Sequence, residues 1–293
     1  MQTDDGVMLY LLEIGNPKAK QTVLVLHGGF GAEHSYLIDA VLPLSRQTRF
    51  LLFDHRGSLR SPAPDSLISY QGFLNDIEGI KKKYGLNHLS FLAHFNGCTV
   101  ALDYLYHFPQ HVQRMALTGC PLSFIDRNYF TGLDSAITLY KTESERMQQA
   151  IQHKIEIPRV KYHLNADQPP SNKQRTLLRK IEYAAYNTFY SRRVEHMPNA
   201  FFNPEVFANL QRNEPESALD QRAARLSATL VKNTKPLLLI NGQYDFVDPQ
   251  GHAWNAASRQ VPGLTLVLVP NAGHNIWQDQ RAAFKKSLNK SLK

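Results

Sequence analysis

The stretch that decides the architecture is Leu89-Ser90-Phe91-Leu92-Ala93-His94-Phe95-Asn96-Gly97-Cys98. Its first half, Leu89 to Leu92, is a short, continuous apolar run of the kind a central parallel strand presents when both faces are buried. Its second half has small residues, Ala93 and Gly97, on either side of Phe95, as close packing of a strand against the helix that follows demands. Strand, sharp turn and helix therefore meet at residue 95. Where an α/β sheet carries a catalytic serine, this turn reads Gly-x-Ser-x-Gly; here the central residue is phenylalanine.

Outward from this turn the same rhythm continues. Val23 to Leu26, Phe50 to Phe53, Met115 to Leu117, Leu237 to Ile240 and Leu264 to Val269 read as further strands, all buried on both faces and each followed by a turn. Longer amphipathic segments separate them, which predicts a mostly parallel sheet flanked by crossover helices. The middle of the chain, 122–232, breaks the alternation. It is long, helical in composition and rich in Gln, Arg, Tyr and Glu, with Gln168-Pro169-Pro170-Ser171-Asn172 as a loop, and is expected to be an inserted helical unit on a core formed by 1–121 and 233–293. No repeat of fixed period and no low-complexity tract is visible.

The chain has 293 residues, 43% hydrophobic and 20% charged, a composition that builds a sizeable core. Its formal charge of +8 is scattered over Lys81-Lys82-Lys83, Arg192-Arg193 and the tail from Lys285 to Lys293, not gathered with aromatics on one surface, so no nucleic-acid partner is expected. Two cysteines, Cys98 and Cys120, lack metal-type spacing. They are expected to be buried free thiols in a reducing compartment, with no metal and no cofactor. No apolar run is long enough for a membrane helix, and the start has no basic region leading into an apolar one, so the expected location is cytoplasmic, away from membranes.

Four turns fall after predicted strands, where open α/β sheets gather ligands. His27-Gly28-Gly29-Phe30-Gly31 can turn its backbone N–H groups toward an oxyanion. Asp54-His55-Arg56-Gly57-Ser58-Leu59-Arg60-Ser61 offers charged groups suited to bracing the neighbouring loop. Gly242-Gln243-Tyr244-Asp245 and Asn271-Ala272-Gly273-His274 supply an acid and then a histidine, in the chain order of a Ser-Asp-His triad.

Taken together, Val23 to Gly31, Asp54 to Ser61, Phe73 to Cys120, Lys235 to Pro249 and Asn271 to His274 resemble the proline iminopeptidase branch of the α/β hydrolases, over about two thirds of the chain. The flanks Asn75 to Leu86 and Asn96 to Leu102 fix the register at the elbow. The resemblance implies an α/β-hydrolase fold with an inserted helical cap, Asp245 as triad acid, His274 as base, and the N–H groups of Gly29 and Asn96 as oxyanion hole. Phe95 stands at the nucleophile position. Glu182 would match a cap glutamate that receives a substrate's amino terminus, and Phe30, Phe95 and Glu182 would face the ligand. Phe30 replaces the proline of the family's glycine loop, Leu59 replaces a glycine and Ala93 opens the elbow in place of glycine, so the cleft is expected to be repacked around Phe30, Leu59 and Phe95.

Phenylalanine has no atom to carry an acyl group, so the standard covalent mechanism is closed. The leading expectation is an iminopeptidase-like protein without serine-hydrolase turnover that keeps a capped cleft for a small molecule or short peptide. A serine-independent enzyme using His274 and Asp245 as general base is the alternative. A protein-interaction scaffold is a second one; the oligomeric state is open. Cys98 and His94 read as packing residues rather than catalytic ones.

Overall fold

The computed structural model describes residues 1–122, 126–131, 133–162, 164, 171–189, 203–214 and 216–292. Seven strands form one sheet: β1 (Leu11–Gly15), β2 (Thr22–Leu26), β3 (Arg49–Phe53), β4 (Leu89–His94), β5 (Val112–Thr118), β6 (Leu237–Gly242) and β7 (Leu264–Val269). Their order is β1-β3-β2-β4-β5-β6-β7, and every pairing is parallel except β1 with β3. Among the described residues ten α-helices accompany them: α1 (Ile38–Val41), α2 (Tyr70–Lys83), α3 (Asn96–His107), α4 (Leu133–Lys161), α5 (Asn172–Asn187), α6 (Pro204–Asn213), α7 (Glu216–Val231), α8 (His252–Ser258), α9 (Ile276–Asp279) and α10 (Arg281–Leu292).

The side-chain period of two in the central strands sorts the core into two layers. Leu24, Leu26, Leu51, Phe53 and Phe91 pack on one face with Ile77 of α2, Leu102 of α3 and Leu226 of α7. Val23, Val25, Phe50, Leu52 and Leu92 pack on the other with Val41 of α1 and Phe284 and Leu288 of α10. All six expected strands are present. Leu264 to Val269 differs from expectation in burial: β7 is an edge strand, and within it only Val269 is buried. Leu264, Leu266 and Val267 are only partly buried against the two core layers, and Leu268 is exposed. β1 is the strand that the apolar runs did not reveal; Glu13 and the partial exposure of its neighbours make it look like loop.

Between β5 and β6 the chain leaves the sheet for α4 to α7, and Ile151, Ile155, Leu164, Ile181 and Ala185 give this insertion a small core of its own. Of the loop expected at Gln168 to Asn172, residues 168–170 lie outside the described residues, as do Arg192 and Arg193. Ser171 starts α5 by a capping box with Gln174, each satisfying a backbone N–H of the other. Among the described residues no helix is long and apolar enough to cross a membrane.

The cysteines require a correction. Cys98, in the first turn of α3, and Cys120, just past β5, are joined in a disulfide with their Cα atoms 5.7 Å apart, so neither is a free thiol. β4 and β5 are neighbours, which brings the helix after one strand beside the turn after the other. The cysteine content therefore gives no argument for a reducing compartment.

Candidate functional site

At the end of β4 the backbone turns sharply into α3 through Phe95, whose φ of 49° and ψ of −121° lie in a region that bulky residues avoid. Such a conformation costs about 1–3 kcal/mol and persists only where surroundings over-determine it. Here the Phe95 N–H donates to the Thr118 carbonyl at 3.0 Å and its own carbonyl accepts from Cys98 N–H at 2.9 Å. Glycine at 97 lets α3 approach β2: a Cβ there would sit 2.7 Å from the Leu26 carbonyl oxygen. Glycine at 28 does the same for the first loop, since its Cβ would meet that of Phe95 at 2.5 Å.

His274 follows β7 and Asp245 follows β6. The His274 Nδ1 and an Asp245 carboxylate oxygen are 2.9 Å apart, and that oxygen also accepts the Val247 N–H at 2.9 Å. Both side chains are buried, at 3% and 0% exposure. The Phe95 ring stands edge-to-face against the His274 imidazole at 5.1 Å, Phe246 lies 4.7 Å away and His94 4.4 Å. Where a serine hydroxyl would meet the imidazole in a working triad, an apolar ring covers it.

Gly29 has φ of 70°, and among the described residues neither its N–H nor that of Asn96 has an acceptor. The glycine loop is tied to the elbow by Tyr36, whose hydroxyl accepts from Gly28 N–H at 2.7 Å and lies 2.8 Å from His94 Nδ1. Desolvation holds the His94 pKa well below the usual histidine value and pushes the Tyr36 phenol well up, so the hydrogen bond joins two neutral groups. Tyr36 lies outside any recognisable motif, and its role depends on a strand 58 residues away.

Phe30 is buried, stacked on Phe73 and edge-on to Tyr70. It shares with Phe95 a cavity of about 480 Å³, whose far wall comes from the insertion through Phe207, Leu210 and Arg222. The expected repacking by Leu59 does not occur: that residue is 44% exposed and does not line the cavity. Glu182 is exposed on α5, whereas its neighbour Tyr183 turns inward and accepts a hydrogen bond from Asn275 beside His274.

The turn after β3 braces the loop after β2, chiefly through Asp54. Asp54 binds His34 at 2.6 Å and Arg60 at 3.3 Å. Arg56 is buried against Asp76 and also reaches Asp5 at 2.7 Å. Glu33, His34 and Asp54 lie close enough together to suggest a metal site, but Arg60 already pairs with both carboxylates.

The insertion is stitched to the loop that carries His274 and to the glycine loop after β2. Asp279 accepts the N–H groups of Phe189 and Gly273 at 2.7 and 2.9 Å, and the Asn275 N–H donates to the Asn187 carbonyl. On the opposite side the Asn203 N–H donates to the Gly31 carbonyl at 2.9 Å. Gly31, at φ of 95°, has no room for a side chain, since a Cβ would lie 2.0 Å from the Asn203 carbonyl oxygen.

A parallel sheet with an elbow after one strand and an Asp-His pair after the last two defines an α/β-hydrolase. The chain belongs to that family, and the family model of the alpha/beta hydrolase fold matches residues 21–278. Within it the likeness runs to proline iminopeptidases: the enzyme of that name from Saccharolobus solfataricus is 22% identical over 94% of this chain and 86% of its own length. Among solved structures, a proline iminopeptidase-related protein from Thermus thermophilus superposes with a TM-score of 0.66 at 18% identity, covering 98% of this chain and 93% of that one. An esterase from Exiguobacterium antarcticum gives 0.64 at 21% identity, covering 100% and 98%. At these identities the two structures establish the fold alone.

Proposed function

We propose that this protein is an iminopeptidase-like α/β-hydrolase homologue without serine-hydrolase turnover, in which 122–232 forms a cap over a cleft that binds a small molecule or short peptide. The observation that carries this reading is Phe95: it has the backbone conformation of an elbow residue, holds no nucleophilic atom and lies edge-on to His274 at 5.1 Å. Removing the nucleophile of a serine protease costs on the order of 10⁶ in turnover. The cavity favours a bound ligand over a bare scaffold, because about 480 Å³ falls within the ~300–1,000 Å³ of small-molecule sites.

The test compares the native protein with Phe95→Ser on aryl esters and aminoacyl arylamides, with a serine-reactive phosphonate as covalent check. Native protein is expected to be inert and unlabelled. Phe95→Ser is expected to label and to exceed native turnover by at least about 10²-fold, the lower end of what a positioned base contributes. Turnover by the native protein equal to that of the serine variant would sink the reading.

One observation favours a second reading. The Asp245–His274 pair is assembled at 2.9 Å, so His274 could serve as base for water attack or proton abstraction without any serine. In that case native activity on some substrate would fall by about 10²-fold or more in His274→Ala. The same rate in both proteins removes this alternative.

A further inference from the structure

The wall of the cavity beside Phe95 is mostly apolar and carries no uncompensated charge among the described residues. Phe30, Phe95, Phe207 and Leu210 supply hydrocarbon, and Tyr70 adds a ring whose phenol is pushed up to about 12 by burial and stays neutral. The polar groups Asn96, Thr99 and Gln211 do not ionise. Arg222 is the one charged side chain in the wall, and its charge is already answered. Its Nη2 pairs with Glu214, its Nε lies 3.5 Å from Asp103, and its guanidinium lies 3.4 Å over the Tyr70 ring. Arg225 holds Asp103 at 2.6 Å, so two arginines meet two carboxylates. Neither carboxylate lines the cavity.

We propose that this cavity selects an uncharged molecule with an aromatic or branched hydrocarbon body and turns away carboxylates and ammonium groups alike. The inference deepens, and rests on, the reading of the site as a binding cleft. An ion entering among these rings gives up its water and meets no free group of opposite sign, which is the costly way to bury a charge. One feature works in an anion's favour: the Asn96 N–H at the start of α3, which has no acceptor among the described residues. A helix N-terminus is worth less to an anion than desolvation costs it, and a neutral carbonyl oxygen takes the same N–H without that cost. An ammonium has no such partner, because Glu214 and Asp103 are engaged by arginine. The cavity therefore disfavours the free amino terminus of a peptide, and of the two ligand kinds proposed for the cleft it suits the small molecule.

The experiment titrates the full-length native protein calorimetrically at about pH 7 with three probes that share one body: 3-phenylpropanamide, 3-phenylpropanoate and 3-phenylpropylamine, of which the last two are ionised there. The amide is expected to bind about tenfold or more tighter than either ion. This ranking needs no variant to fold. Ala223→Phe, which puts bulk into the cavity from a half-buried position, is expected to weaken amide binding by about tenfold or more. Phe207→Ala, which strips apolar wall at a residue 48% exposed, is expected to weaken it about fivefold. If native protein binds the acid or the amine as tightly as the amide, the proposal fails, while loss of binding in the variants still supports the cleft. If both folded variants bind the amide as native protein does, the amide sits elsewhere and the proposal fails. If none of the three probes binds native protein, the cleft reading fails with it.

Discussion

At Phe95 a positive φ is held in place by the Thr118 carbonyl on one side and by two glycines, Gly28 and Gly97, on the other. The tightest of these contacts to backbone at Gly97 involves the Leu26 carbonyl, which cannot swing aside as a side chain could. Gly97→Ala is therefore expected to destabilise by about 1–3 kcal/mol, the usual cost of overpacking, read as a shift in the urea midpoint at unchanged slope. An unchanged midpoint would mean that α3 rides further from the sheet than described. Arg56 is the second sensitive residue, fully buried with Asp76. Arg56→Ala leaves that carboxylate without its charge partner and is expected to cost about 3–5 kcal/mol by the same measurement; a loss under about 1 kcal/mol would mean that Asp76 is protonated or reaches water. Residues whose position is set by a local turn, such as Phe95, Asp245 and His274, could be placed from the chain. Tyr36, Arg222 and the Cys98–Cys120 pair could not, because their partners come from elements far away in sequence.

Among elements, the parallel strands were legible because burial on both faces leaves continuous apolar runs. β1 was hidden by its short, half-exposed run Leu11-Leu12-Glu13-Ile14-Gly15, and β7 looked central although nothing pairs with its outer side. The inward-turned residue of α5 was misplaced by one position: Tyr183 faces the histidine loop while Glu182 faces water. A short motif match cannot resolve helix phase, since neighbouring residues point about 100° apart. The contact between the insertion and the sheet makes its own prediction. Asp279→Ala removes the acceptor shared by Phe189 and Gly273 N–H and is expected to cost about 1–3 kcal/mol, concentrated locally. Hydrogen exchange should speed up in peptides spanning Phe189 and Gly273 while β4 and β5 stay protected. Unaltered exchange at both amides would show that the remaining contacts suffice to hold the insertion down.

On the scale of the whole molecule, buried titratable groups couple stability to pH. Burial lowers the pKa of His27, His55 and His94, so below the ordinary value of about 6.5 the unfolded chain takes up protons that the folded one refuses, and stability falls with pH. Asp76 and Asp248 work in the other direction: burial pushes both up to about 6, so below that pH the folded protein takes up their protons first. Three such histidines oppose two such carboxylates, so the loss of stability on acidification outweighs the gain. Stability is therefore expected to fall as the pH drops below the ordinary histidine value. Urea denaturation at several pH values measures this directly, and stability that rises on acidification would contradict it.

The insertion leaves the sheet after Thr118 and returns at Leu237, and these two strands are immediate parallel neighbours, with Met115 opposite Leu237 and Thr118 opposite Ile240. A right-handed crossover of a dozen or so residues would be enough to join them. Everything beyond that minimum is, for the sheet, spare thread. Its length and sequence can drift without disturbing any strand register, so the side chains it gives to the cavity, Phe207, Leu210 and Arg222, can change on a timetable separate from those that keep the sheet folded.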